Sequence, residues 1–317
     1  MNKLLIKYIS CLVTIVMAFT LCGCFTGIES TKKIKMTREE KKSLEPTAEE
    51  KFLSDICPIP HTKWADGKEF VVVGDRGSVL FEPRRIVSGN YQLSIGDTLR
   101  YKECRMYRQP DGTSIPALTF SRGGDEFRYL PSGKADDREI MSDAIPGLVD
   151  PSMINQVADK MVGKNFWTRN SLREDEYGER VDGKRFEKIR VLNVSPGNMI
   201  FPIKVLFEDT EGRIGRMLLN FGNSGKDSRS FANMLQLSDP RKNYPSISDK
   251  IWENIMQGKV EIGMTRDECR LSKGNPTDVN SGHDYQHTLL IWSYSDGTVL
   301  YFVDGIVQGI NSVPDKI

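Results

Sequence analysis

The chain has 317 residues, 27% charged and 38% hydrophobic, with a mean hydropathy of −0.41. That length suggests about two domains, or three small ones, and the composition excludes a multi-span membrane protein and a wholly disordered chain. Lys and Arg number 44 against 43 Asp and Glu, a net charge of +1, so the sequence offers no field for nucleic acid. Three histidines (His61, His283, His287) are few for a metal or acid–base enzyme.

At the N-terminus, Lys3 and Lys7 precede an apolar run from Tyr8 to Cys22. The run falls short of the roughly 20 apolar residues of a membrane span and fits the centre of a secretory signal peptide. It ends in Leu21-Cys22-Gly23-Cys24, which resembles the bacterial lipobox. That resemblance implies cleavage of residues 1–23 and lipidation at Cys24, whose thiol would carry a diacylglycerol thioether and whose amine an acyl group such as palmitate. Two or three acyl chains, each contributing about 0.8 kcal/mol per buried CH₂, hold a protein on a bilayer. The rival reading is an ordinary secretory signal or an uncleaved anchor.

Residues 24–55 are dense in Lys, Glu, Ser and Thr and are read as a solvated tether. Thr37 with Glu40, or Thr47 with Glu50, has capping-box spacing for a short helix there. Residues 56–134 form the first expected β domain: Phe70–Val73 is β-branched, and Leu118-Thr119-Phe120 meets Phe127 and Tyr129 across Arg122-Gly123-Gly124-Asp125, a hairpin pattern. A second β domain spans 145–242. There Phe201, Ile203, Val205 and Phe207 alternate with other residues, and so do Met217, Leu219 and Phe221. Gly163-Lys164-Asn165-Phe166 echoes Gly67-Lys68-Glu69-Phe70, so the two units are either duplicated, SH3-like barrels being one form, or alike by coincidence. Between them Ser142–Val162 is read as helical, with Ile154, Val157, Ala158 and Met161 on one face.

In 243–317 the pattern is helix, helix, strand, strand, strand. Ser248-Asp249 opens the first helix, and the Thr265/Glu268 capping box opens the second. The strands are Thr288–Tyr294, Thr298–Val303 and Ile306–Ile310, joined at Asp296-Gly297 and Asp304-Gly305. With Gly258-Lys259-Val260, Gly263-Met264-Thr265, Gly274-Asn275-Pro276, Trp292-Ser293-Tyr294 and Leu300-Tyr301-Phe302, this segment looks like the BamE-like (SmpA/OmlA) lipoprotein domain. That resemblance implies two helices across a three-stranded antiparallel sheet, and a relative in outer-membrane β-barrel assembly. The whole layout resembles multidomain lipoproteins of Bacteroidetes-type bacteria.

Catalytic patterns are sparse. His283-Asp284-Tyr285-Gln286-His287 could hold zinc weakly, but a solvated hairpin approach fits it better. Asn220–Ser228 fails the phosphate-loop pattern because Asn220 and Asp227 replace its Gly and its Ser or Thr. After Cys24, the thiols of Cys57, Cys104 and Cys269 remain. Cys57–Cys104 is the one disulfide pair to consider, and three small buried hydrophobes is the favoured alternative. Arg169–Arg185 is either a binding loop or a solvated hairpin extension, the latter preferred.

The resulting expectation is an α+β chain: two small antiparallel β units followed by a BamE-like ααβββ two-layer domain. No catalytic residue, metal or cofactor is expected. The expected role is a non-catalytic, lipid-anchored cell-envelope protein, facing the periplasm from the outer membrane, that serves as a protein-interaction or envelope-assembly module. Its partners would be the membrane, through the lipid, and an envelope protein. The alternative is a peptidoglycan- or glycan-binding lipoprotein using exposed aromatics such as Trp64 or Trp167.

Overall fold

The computed structural model describes residues 45–75, 77–131, 139–221, 229–284 and 287–311. The signal segment 1–23, Cys24 and the tether up to residue 44 lie outside the described residues. A capping box between Thr47 and Glu50 starts the short helix α1 (Ala48–Lys51). The chain beyond it delivers Leu53 and Ile56 into a buried core. Phe52 packs its ring 4.4 Å from that of Phe231, and its carbonyl accepts a 2.8 Å bond from Lys160 Nζ.

The first sheet contains β1 (Glu69–Val72), β2 (Phe81–Arg85), β3 (Thr98–Arg108), β4 (Ser114–Arg122), β5 (Asp125–Tyr129) and β6 (Leu148–Val149). Its order is β2-β5-β4-β3-β1-β6, and every pair is antiparallel. Gly123, at φ 61°, makes the two-residue turn between β4 and β5. Beside that turn Asp125 is buried and accepts bonds from Ser88 Oγ and from the backbone N–H groups of Ser88 and Val87. These donors, the Ser88 hydroxyl first, hold its carboxyl at about 2. Phe70, Phe81, Leu99, Leu118, Phe120 and Phe127 fill this sheet's core.

Asp150 then caps the helix α2 (Pro151–Met161), accepting from Ser152 N at 3.0 Å, with Pro151 at its first position. Met153, Ile154, Val157 and Met161 are its buried stripe. The stripe packs on a second sheet of β7 (Asn165–Thr168), β8 (Leu172–Asp175), β9 (Arg180–Asp182), β10 (Lys188–Pro196), β11 (Ile203–Glu208), β12 (Ile214–Leu219) and β13 (Leu235–Gln236). The order here is β13-β7-β10-β11-β12-β8-β9.

Apart from the extra edge strand β9, the two sheets have the same connectivity, and the match extends to single hydrogen bonds. Gly67 N donates to Tyr101 O at 2.8 Å and Tyr101 N to Lys68 O at 2.8 Å; Gly163 N donates to Val191 O at 2.8 Å and Val191 N to Lys164 O at 3.0 Å. Val73 N bonds Gly147 O, and Arg169 N bonds Met234 O, both at 2.8 Å. β3 slips register between Tyr101 and Glu103, and β10 slips between Val191 and Asn193. The left-handed position before each of those strands is Gly96 (φ 94°) in the first repeat and Phe186 (φ 56°) in the second. The four-residue echo in the sequence is thus one part of a repeated backbone plan.

The C-terminal part contains α3 (Asp249–Met256), capped by Ser248, and α4 (Arg266–Lys273), capped by the Thr265/Glu268 box. They precede a four-stranded sheet of β14 (Asp278–Asp284), β15 (His287–Ser293), β16 (Val299–Val303) and β17 (Ile306–Asn311) in sequential order. Its core includes Ile255, Met264, Cys269, Trp292, Leu300 and Phe302.

This arrangement corrects the expected fold class. Among the described residues 39% are strand and 18% helix, in three antiparallel sheets including a half-barrel, and the arrangement is neither α+β nor the BamE-like ααβββ layout. The difference has local causes. The polar segment Asp278–Asp284 has no apolar alternation to mark it as a strand, yet it pairs with β15 from Asp278↔Ser293 to Asp284↔His287. Residues 142–150, read as the start of a helix, instead supply turns, β6 and the Asp150 cap. Phe201 falls outside β11. Asp296-Gly297 sits in a loop longer than two residues, whereas Asp304 and Gly305, at φ 49° and 83°, form the expected tight turn.

Gly215 of β12 faces the buried ring of Phe207, and a Cβ there would stand 2.7 Å from Phe207 Cζ. Gly215→Ala is expected to lower stability by about 1–3 kcal/mol through overpacking, read as a lower urea midpoint with an unchanged slope.

Candidate functional site

Each sheet ends its repeat at a seam, where the short last strand (β6 or β13) pairs with the first (β1 or β7) and the following segment departs. At the first seam a cleft of about 260 Å³ opens between residues 143–153 and the tip of the β10–β11 hairpin. Val73, Ile145, Leu148, Met153 and Phe221 line it. The tip is set locally: Asn198 Oδ1 accepts from Ile200 N at 2.9 Å and Phe201 N at 2.8 Å, an Asx turn. This turn holds Met199 against Gly74, where an added Cβ would meet Met199 Sδ at 3.5 Å and Gly147 Cα at 3.3 Å. Met199 is 44% exposed and Ile200 68% exposed at the rim. Below them Lys68 Nζ reaches the buried Asp150 carboxylate at 2.7 Å. Asp150 thereby serves the helix cap and an ion pair together, so the wall of the cleft is fixed while its rim is a methionine and an isoleucine.

A second cluster gathers side chains from β8 and from the residues flanking β10, β11 and β12. Glu187, 1% exposed, places Oε2 3.3 Å from Arg173 Nη1, which also lies 3.0 Å from Asp209 Oδ2. Arg213 Nε bonds Asp209 Oδ2 at 2.8 Å, and Glu187 Oε1 has no hydrogen-bond partner. Burial, and then the charge of Asp209, push the Glu187 carboxyl up. Burial also acts upward on Asp209, but hydrogen bonds from Arg213, Glu211 and Arg173 outweigh it and hold that carboxyl down. Two carboxylates pushed apart in this way are a usual setting for acid–base chemistry. Here both are closed in by Arg173 and Arg213. Among the described residues no three His, Cys, Asp or Glu side chains are placed to hold a metal ion, and no helix is long and apolar enough to cross a membrane.

The residues singled out in the sequence scatter through the fold. Cys57 is exposed, Cys104 half-buried and Cys269 buried, and all three are free thiols, so one of them is a buried hydrophobe. Burial pushes the Cys269 thiol up to about 12. His283 pairs with Thr288 and His287 with Asp284 across the β14–β15 hairpin; His287 Nδ1 lies 2.7 Å from Asp304 Oδ2 on the surface. Tyr285, Gln286 and residues 222–228 lie outside the described residues. Trp64 is buried against Phe70 and Tyr101 and Trp167 is half-buried, so Trp64 offers no exposed platform. Trp252, Trp292, Tyr294 and Phe302 are buried, and Tyr301 is exposed. Arg169–Arg185 contains the β8–β9 edge hairpin, anchored by Arg216 Nε on Glu174 Oε2 at 2.9 Å. The sequence reading missed the first-seam cleft; the apolar pair Met199-Ile200 directly after Gly197-Asn198 is the feature that could have marked it. No family model matches the chain, and no curated protein or solved structure matches it significantly.

The raised Glu187 carboxyl has a stability consequence. The folded state keeps this proton to higher pH than the unfolded chain, so Glu187 contributes a loss of stability as pH rises above its ordinary value of 4.5. Glu187→Gln should be more stable than wild type at pH 7, with the difference closing below pH 4.5, measured as urea midpoints across pH. A lower midpoint for the variant at pH 7 would show that Arg173 depends on the charge.

Asp150→Ala should cost about 3 kcal/mol or more, since it removes a helix cap and leaves Lys68 unpaired in a largely buried position. Lys68→Met, which keeps the cap, should cost less in the same chemical melts.

Proposed function

We propose that this chain is a lipid-anchored protein of the cell envelope, attached through Cys24 and facing the periplasm from the outer membrane, whose non-catalytic role is to hold a protein partner. The observation that carries this reading is the first-seam cleft: a fixed apolar wall with Met199 and Ile200 exposed at its rim. Exposed apolar side chains around an apolar recess suit a partner's apolar side chain, and a flexible methionine can adapt to its shape. Anchoring is supported by the Leu21-Cys22-Gly23-Cys24 sequence and the polar stretch after it. The glycan-binding alternative has less to stand on, because Trp64 is committed to the first core.

Site-specific photo-crosslinking in cells that naturally make the full chain tests the reading. A benzophenone side chain at Ile200 should trap one reproducible protein, and the same probe at Tyr177, exposed on the β8–β9 turn, should not. Met199→Asp should abolish the Ile200 adduct. Capture of sacculus fragments at Ile200, identical products at both positions, or a bare Cys24 thiol by mass spectrometry would each overturn it.

A further inference from the structure

The second seam occupies the same place in its repeat as the first but is built from different chemistry. Arg169 stands where Val73 stands, as their matching bonds to Met234 O and Gly147 O show. Arg185 precedes left-handed Phe186 as Ile95 precedes left-handed Gly96. Gln236 of β13 takes the place of Val149 of β6. The corresponding positions of the first repeat, Val73, Ile95 and Val149, are apolar, so the repeated backbone plan does not itself call for guanidiniums here.

With Arg270 of α4 they line a cavity of about 380 Å³ to which Gln236, Asn243 and Tyr244 add polar groups and no carboxylate contributes. Arg185 is half-buried. Its Nη1 donates to Leu271 O at 3.2 Å, a carbonyl of the last turn of α4. Among the described residues no carboxylate pairs with it, and burial holds its guanidinium below the ordinary arginine value. A guanidinium carries five donor hydrogens, so most of the donors of Arg185 remain for another acceptor. Arg270 is steadied over the Trp292 ring, 4.8 Å from its centroid, and its carboxylate neighbour Asp267 stands 3.5 Å away on the exposed side. Phe186 closes one wall and keeps its unfavourable positive φ while stacking on Trp252 at 5.5 Å.

We infer that this cavity is an oxyanion site for a phosphate group carried on a small polar head such as a sugar or glycerol. Forked guanidiniums match phosphate oxygens two at a time. The volume exceeds the roughly 30 Å³ share of a water molecule many times over, which leaves room for the head beside the phosphate. The site is separate from the first-seam cleft and stands whether or not that cleft binds a partner.

Calorimetric titration of the full chain in a nonionic detergent tests it with inorganic phosphate, a hexose 1-phosphate and dihexanoyl phosphatidylglycerol. Saturable binding is expected, tighter for one of the two phosphate esters than for inorganic phosphate; which ester is tighter tells a sugar source from a lipid one. Arg185→Gln and Arg169→Gln should each weaken it by about tenfold or more, and Arg190→Gln, on the exposed face of β10, should leave it unchanged. Arg169 is exposed and Arg185 also holds Leu271 O, so the Arg169 variant reads binding without disturbing α4. Absence of saturable binding by any of the three probes, or an equal loss in the Arg190 variant, would overturn the assignment.

Discussion

The architecture rests on a shortage of pairing at one sheet edge. β6 and β13 are each two residues long, so the edge they cover on β1 and β7 is largely left to whatever follows in the chain. In the first repeat that is α2 and the β10–β11 tip; in the second it is residues 240–244 and α4. A buried strand edge with unpaired amides is unfavourable, which explains why Val73 N and Arg169 N each take one further carbonyl beyond the strand. Each module is completed by its successor, and an opening is left at each join.

Features held by neighbours in sequence were legible there. The Gly123-Gly124 and Asp304-Gly305 turns, the Thr265/Glu268 box and the apolar stripe of α2 all depend on residues within a few positions of one another. β14 was not legible because its pairing is made by backbone groups, to which its polar side chains give no clue. The structural repeat surfaced as four residues because what repeats is a set of main-chain bonds, which Val73 and Arg169 satisfy equally well. Both cavities escaped notice because their walls come from segments far apart in sequence. The α+β assignment for the whole chain failed on the same account: short helices have strong local signatures, and polar edge strands have weak ones.

The two repeats also show how one backbone plan accommodates opposite electrostatics. In the first, Arg122 meets Asp97 at 2.6 Å and lies 3.5 Å from buried Asp125, one cation between two acids. At the corresponding positions of the second stand Glu187 and Asp209, two acids, and the β8 and β12 flanks supply Arg173 and Arg213 to offset them. The pairing is imperfect, since Glu187 Oε1 has no hydrogen bond. The second repeat therefore carries a buried carboxylate short of one hydrogen bond where the first has the half-buried Asp97.

The route of the N-terminal segment has a mechanical meaning. Glu49, Phe52, Leu53 and Ile56 pass the first sheet by and lodge against the second, where Leu237 N bonds Glu49 Oε1 and Lys160 grips the Phe52 carbonyl. A pull applied from the leading end would thus load the middle of the molecule before the module nearest in sequence. The first sheet, slung between that grip and its own exit strand, would be shielded from tension until those few contacts gave way.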